Sequence, residues 1–267
     1  MISINNLYHT YPSGVNALHG ITLDICGTDP VAIIGQNGSG KTTLVKHLNA
    51  LLLPTSGEIT IDGEATVTKS TSQWAQKIGY VFQNPDDQLF AQNVKDELLF
   101  APIQRGFSAK KVEKDMLEIA KFIGLEHKLN THPYDLTGSE KKFCAIGSVL
   151  MGKPDIVIFD EPTMGQDVAG RQRLERLLTT LQNERKVCIT ITHDMKFVAR
   201  NFTRVIVMHA GKILLDGHPD DVFSHTDLLA QACVTPPPLM RVAQAIGIKN
   251  NPGTVREFVT SLTKEIQ

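Results

Sequence analysis

Cysteine is scarce in this chain and poorly placed for chemistry. The four residues, Cys26, Cys144, Cys188 and Cys233, lie far apart, with no C-x-x-C pair among them. That spacing speaks against a disulfide framework or a cysteine-built metal or redox centre, and fits reduced thiols in a cytosolic protein. No uninterrupted apolar run reaches the roughly 20 residues of a membrane-spanning helix, and Met1 to Tyr11 carries no signal-peptide pattern. The nine histidines are scattered without metal-site spacing. An excess of one charge is missing too. A formal net charge of −1 gives no global pull toward nucleic acid or anionic membrane, so any anion binding must be local. Internal repeats and low-complexity tracts are absent.

What remains is an average soluble composition, 42% hydrophobic and 21% charged, in 267 residues. That length suffices for one large α/β domain with a small appendage. Ile2 to Ile25 reads as two strands around a turn at Pro12-Ser13-Gly14, and Pro30 to Ile34 as a short buried strand. A glycine-rich loop follows, then a helix from about Lys41 to Leu51, and a strand from Ile78 to Phe82. Between Asn84 and Leu150 the pattern turns helical. Val112, Met116, Ile119, Ala120 and Ile123 share one face of a helix that Ser108 is placed to cap, and a second helix runs from about Ser139 to Met151. Strand and helix then alternate: Ile156 to Asp160, Ala169 to Gln182, Val187 to Thr192 and Val205 to Met208. Such alternation indicates a mainly parallel sheet covered on both faces. Beyond Ser224, Pro236-Pro237-Pro238 starts a helix to about Ile246, and Gly253 precedes another to Ile266.

Gly35-Gln36-Asn37-Gly38-Ser39-Gly40-Lys41-Thr42 fits G-x-x-x-x-G-K-[ST], followed by Thr43. The glycines let successive N–H groups turn inward around phosphate oxygens, and the helix N-terminus adds partial positive charge. Lys41 is suited to the β- and γ-phosphates, and the Thr42 hydroxyl to Mg²⁺. The plain alternative, a glycine-rich turn, explains neither the lysine nor the flanking strand and helix. Downstream, the apolar run Ile156-Val157-Ile158-Phe159 ends in Asp160-Glu161. Carboxylates at the carboxyl end of a buried strand stand where ligands bind in open α/β sheets. Asp160 would hold Mg²⁺, and Glu161 would polarise an attacking water.

With these landmarks in order, the chain resembles an ATPase subunit of the ABC superfamily over about Met1 to Ser224. The resemblance implies an α/β P-loop NTPase with an antiparallel β subdomain and a helical subdomain at about residues 84–150. It also implies a helical extension over residues 225–267 that serves dimerisation. ATP and Mg²⁺ are the implied ligands. Tyr11 resembles the aromatic that stacks on adenine, Gln83 the glutamine that senses Mg²⁺ and the attacking water, and His193 the histidine at the γ-phosphate. Asp167 resembles the aspartate of the loop after the acidic pair. Taken singly, Tyr11 is a surface aromatic beside a turn and His193 a helix-start residue; their spacing from Lys41 and Glu161 favours function.

Gln83-Asn84-Pro85-Asp86-Asp87-Gln88-Leu89-Phe90 and Asp96-Glu97-Leu98-Leu99-Phe100-Ala101-Pro102 are similar to segments of the ATPases of energy-coupling-factor transporters, importers of vitamins and transition-metal ions. That resemblance implies a helix of an integral membrane subunit docking beside Leu89, Phe90 and Phe100. The chain would then lie at the cytoplasmic face of the cell membrane.

Leu136-Thr137-Gly138-Ser139-Glu140 stands where the family carries L-S-G-G-Q, which contacts the ATP held by the other subunit. Ser139 adds a Cβ, and Glu140 puts an acid in place of a neutral glutamine. At about 8 Å and an effective dielectric of about 20, a carboxylate facing a phosphate charge costs about 2 kcal/mol, up to about thirtyfold in closure. The gain from an acid at a helix N-terminus, about 0.3–1 kcal/mol, is smaller. The expectation is a competent ATP-binding half with a weakened signature half, which favours a heterodimer with a second ABC ATPase. Two alternatives stay open: a soluble ABC ATPase acting on nucleic acid or ribosomes, and a non-hydrolysing regulatory subunit. The chain shows no long coiled-coil insert, tandem ATPase unit or basic stripe for the first, and intact Glu161 and His193 oppose the second.

Overall fold

The computed structural model describes residues 1–248 and 255–266. The chain forms two compact units, one of Met1–Thr68 together with the chain from Ile189 onward, the other of Lys69–Cys188.

The first unit opens with β1 (Ile2–Thr10) and β2 (Asn16–Ile25), joined by the expected turn. There the Tyr11 and Gly14 amides bond to the carbonyls of Val15 and Tyr11, and Gly14 supplies the left-handed φ of 85°. β3 (Val31–Ile34) is buried throughout and delivers the chain to α1 (Lys41–Leu48). β4 (Ser56–Ile61) and β5 (Glu64–Ala65) complete an antiparallel sheet in the order β2-β1-β4-β5. Ile2, Ile4, Ile21, Leu23, Ile59 and Ile61 bury its inner face.

In the second unit, α2 (Thr71–Trp74) leads to β6 (Ile78–Val81), then α3 (Val94–Gln104) and α4 (Ala109–Ile123). On α4 the predicted stripe of Val112, Met116, Ala120 and Ile123 is buried, with Ile119 half-buried. Ser108 occupies the N-cap position, but its hydroxyl makes no capping bond, contrary to expectation. α5 (Gly138–Met151), β7 (Ile156–Asp160) and α6 (Val168–Asn183) follow. β7 runs parallel to β6 with Ile78 opposite Ile156 and Val81 opposite Phe159. A Cβ at Gly79 would lie 2.9 Å from Pro154 Cγ and still closer to Val149 Cγ1, so α5 packs directly on β6.

β8 (Val187–Ile191) carries the chain back to the first unit, where α7 (Met195–Asn201), β9 (Arg204–His209) and β10 (Lys212–Gly217) follow. β3 lies between β8 and β9, parallel to both, and β10 adds antiparallel to β9. This mixed arrangement is buried through Ala32, Ile33, Ile191, Ile206 and Met208, as near-continuous apolar strands require. Short helices α8 (Pro219–Val222) and α9 (Thr226–Gln231) precede α10 (Pro238–Ala245) and α11 (Val255–Ile266). The proline run starts α10 at its last member, while Gly253 lies outside the described residues. Cys144 and Cys188 are buried, and burial pushes the Cys144 thiol up to about 12, consistent with inert structural thiols. No helix among the described residues is long and apolar enough to cross a membrane.

Candidate functional site

In the first unit the loop after β3 is built around backbone that only glycine accepts easily. Gly35, Gly38 and Gly40 have φ of 145°, 79° and 101°. A Cβ on Gly40 would sit 2.8 Å from the Ala17 carbonyl oxygen, and one on Gly35 would collide with the Met208 carbonyl. Gln36 is half-buried, whereas Asn37 and Gly38 are exposed at the tip. The Lys41 ammonium donates to the carbonyl oxygens of Gly35 and Gln36, each at 2.8 Å, so its charge is held across the loop. Ser39 has a buried hydroxyl oxygen without a hydrogen-bond partner. No acid occupies the first turn of α1, where Thr42 and Thr43 follow the lysine. An orphan hydroxyl, an uncompensated helix N-terminus and a fixed ammonium together fit a polyphosphate.

Tyr11 is tied to this helix. Its hydroxyl pairs with Thr43 Oγ1 at 2.9 Å, and its ring meets His9 edge-on at 4.7 Å between centroids. Beneath it lies a buried histidine pair unforeseen from the sequence. His47 Nδ1 is 2.7 Å from the Thr43 carbonyl and must donate, so His47 Nε2 accepts from His9 Nδ1 at 3.1 Å. The His9 Nδ1 hydrogen is shared with the Leu53 carbonyl, also at 3.1 Å. His193 is exposed, two residues beyond the end of β8, and the next residue, Asp194, caps α7.

In the second unit the acid pair closes β7. Tyr80 on β6 donates its hydroxyl to Asp160 Oδ2 at 2.8 Å. Glu161 is buried and takes a left-handed φ of 49°, rare for a non-glycine residue. Strain of this kind persists where the surroundings fix a side chain in one direction. Gln83 is exposed, with its amide nitrogen 3.8 Å from the Met164 sulfur. Sequence reasoning missed Lys142. This α5 side chain is only 2% exposed and donates to the main-chain carbonyls of Phe82 and Gln83. Burial pulls its ammonium down, while the Asp160 and Glu161 charges pull it up. Among the described residues no group of three His, Cys, Asp or Glu could alone cage a metal.

The signature segment begins α5. Thr137 is its N-cap, and a reciprocal capping box joins Glu140 N–H to Thr137 Oγ1 at 3.3 Å and Thr137 N–H to Glu140 Oε2 at 3.0 Å. Glu140 does not stand unopposed, as the sequence suggested: its Oε1 is 2.6 Å from the Lys128 ammonium. Gly138 is exposed with open space where a Cβ would go. Ser139 donates its hydroxyl to Gln166 Oε1 at 2.7 Å, a link between the signature and the segment after the acid pair. Asp167, the next residue, caps α6 by accepting the Gly170 amide at 2.7 Å.

Comparison with known proteins agrees with this geometry. The ABC transporter family model matches residues 18–164, more than half of the chain. The chain is 35% identical to the energy-coupling factor transporter ATP-binding protein EcfA of Methanocaldococcus jannaschii, over 99% of both sequences. It is 36% identical to a putative ABC transporter ATP-binding protein of Methanosarcina acetivorans, over 92% of this chain and 76% of that one. Among solved structures, cbiO1 of Clostridium perfringens, part of the ABC transporter complex cbiONQ, superimposes with a TM-score of 0.77 at 32% identity, covering 92% of this chain and 98% of that one. The cassette MJ0796, dimeric and bound to ADP and Pi after hydrolysis, matches with a TM-score of 0.75 at 28% identity, covering 82% and 99%. The glycine-rich loop before α1, the acids closing β7 and these likenesses lead to one conclusion: the chain belongs to the ABC transporter family, as one of its ATP-binding and ATP-hydrolysing subunits.

Proposed function

We propose that this subunit energises an importer of the energy-coupling-factor kind, for vitamins or transition-metal ions, by closing on a second ATPase subunit when ATP binds. The observation that carries the nucleotide part is the loop before α1, with its left-handed glycines, fixed Lys41 ammonium and orphan Ser39 hydroxyl. Tyr11 stacks on adenine, and the loop with Lys41 holds the phosphates. Asp160, Thr42 and Gln83 would hold Mg²⁺, whose charge would offset that of the phosphates. Glu161 polarises the attacking water, and His193 meets the γ-phosphate. Thr137, Gly138, Ser139 and Glu140 face the partner's ATP, and Asp167 belongs to the loop that follows the acid pair.

Coupling to a membrane subunit rests on an exposed aromatic pair after Gln83. Phe90 and Phe100 are 63% and 42% exposed, and their rings meet edge-on at 4.7 Å. The buried Glu97 carboxylate accepts the amides of Phe90 and Ala91 at 3.0 and 2.9 Å and fixes that segment to α3. Leu89 and Glu97 point inward, so the offered surface is narrower than the sequence implies. An apolar helix capped by a basic residue suits it, given the exposed Asp86, Asp87 and Asp96. The residues from 225 onward serve dimerisation, and the subunit sits peripherally on the cytoplasmic face. Pairing of Glu140 by Lys128 weakens the reason for favouring a heterodimer over a homodimer.

The test is biochemical. Lys41→Ala should abolish tight ATP binding, and Glu161→Gln should accumulate an ATP-bound dimer. Phe90→Ser with Phe100→Ser should release the membrane subunit that co-purifies with the wild type. Normal turnover in the Glu161 variant would overturn its role, and unchanged co-purification would overturn the docking surface.

A further inference from the structure

Lys128 lies 12 residues before Glu140, in the turn between α4 and the signature. Its position is pinned by main-chain bonds: Lys128 N–H to Leu125 O and Thr131 N–H to Lys128 O, both at 2.9 Å. The same turn is fastened to the start of α3, where the Val94 and Lys95 amides donate to the Thr131 and Leu129 carbonyls at 3.0 and 2.9 Å. From this fixed base the ammonium reaches Glu140 Oε1, while Glu140 Oε2 accepts the Thr137 amide. Because Thr137 Oγ1 accepts the Glu140 amide, its own hydrogen is directed to another acceptor.

We propose that Lys128 is a positioning residue of the signature: it cancels the charge of Glu140 and holds that carboxylate in the capping box, so that the Thr137 hydroxyl and the first amides of α5 meet the partner's ATP without repulsion. The proposal rests on the reading that this segment faces a phosphate. The Lys128 bond is also the foremost cause that holds the Glu140 carboxyl below its ordinary range. Lys128 and Glu140 side chains are 43% and 25% exposed. A pair so open to water adds little to folding. Its value appears when an anion arrives: removing the lysine leaves a carboxylate facing phosphate, worth up to about thirtyfold at about 8 Å and an effective dielectric of about 20. A neutral glutamine needs no such partner, which is how an acid is tolerated at this position.

The experiment measures two quantities on the full chain in a Glu161→Gln background: nucleotide affinity, and ATP-dependent dimer formation by sedimentation, alone or mixed with a second ABC ATPase subunit carrying the same change. Lys128→Met should weaken dimer formation about ten- to thirtyfold, with nucleotide affinity and melting temperature unchanged. Lys128→Arg should retain wild-type behaviour, and Glu140→Gln should restore the Lys128→Met protein. No loss in Lys128→Met, or no rescue by Glu140→Gln, overturns the proposal. Gly138→Asp adds an acid in open space at the same helix start. If that variant dimerises normally, the signature does not face phosphate, and the underlying reading fails with the proposal. If it fails to dimerise while Lys128→Met is normal, the role of Lys128 alone is wrong.

Discussion

Tyr80 and Asp160 share a hydrogen bond of 2.8 Å that joins neighbouring parallel strands at the end where the acid pair stands. Burial first, and then the Asp160 charge, push the Tyr80 phenol far up, so it stays a donor at every working pH. Tyr80→Phe keeps the ring and removes that donor. A hydrogen bond to a charged group contributes about 1.5–3 kcal/mol, so the variant should melt several degrees lower. Asp160 would also lose its fixed direction, and the Mg²⁺ concentration for half-maximal ATPase activity should rise several-fold. A thermal melt and a Mg²⁺ titration check both; an unchanged titration would show that Tyr80 serves stability alone.

Lys142 stands behind the same acids. Its ammonium bonds to the carbonyls of Phe82 and Gln83, and its charge balances Asp160 and Glu161. Lys142→Met should leave nucleotide affinity near normal, because the phosphate loop is built elsewhere in the chain. Turnover should fall at least tenfold as Gln83 loses its anchor. Separate measurement of ATP affinity and kcat distinguishes this from general unfolding, and Lys142→Arg tests whether any cation suffices. Equal losses in both quantities would mean that the lysine only supports the fold.

The contrast between these residues explains what sequence could reveal. The loop from Gly35 to Thr42 and the strand ending at Asp160-Glu161 are legible because the pattern is local: neighbouring residues set the left-handed turns and the strand end. Most strands and helices from Ile2 to Met208 followed from apolar period for the same reason. Lys142 reads as one of two lysines on a helix, and nothing in its spacing reveals 2% exposure. Lys128 meets Glu140 from 12 positions away, and Gln166 meets Ser139 across 27, so both pairings exist only once the chain is folded. β4 and β10 escaped because their exposed or half-buried edges mix polar residues into the strand, which blurs the alternation. The signature was misjudged in its charge for the same nonlocal reason.

The histidine pair under α1 gives a pH dependence. Burial, with a smaller contribution from His9, holds His47 below its ordinary 6.5 despite the bond to the Thr43 carbonyl. Between that lowered value and 6.5 the unfolded chain binds a proton that the folded chain does not. Stability is therefore full above about 6.5 and falls as pH drops through that window. Melting temperature should decline between pH 7.5 and 5.5, above the range where most carboxylates titrate, and His47→Gln should flatten the slope. A slope unchanged in the variant would assign the effect to other groups.

Gly170 decides whether the signature stays joined to the segment after the acid pair. It lies in the first turn of α6, and a Cβ there would collide with Gln166 Oε1, the atom that accepts the Ser139 hydroxyl. Alanine in a helix usually gains about 1 kcal/mol over glycine. Here the gain is opposed by loss of a hydrogen bond worth about 0.5–1.5 kcal/mol. The obstacle is the end of a flexible side chain, so Gln166 can swing away and the fold survives. Gly170→Ala should consequently leave melting temperature within a few degrees of wild type. It should still disturb ATP-driven dimer formation, because Ser139 at the start of α5 loses its anchor. Ser139→Ala removes the same bond, keeps the Cβ and does not touch α6, and the two changes should produce the same defect, no greater when combined. Additive defects would mean that the glycine and the serine act separately.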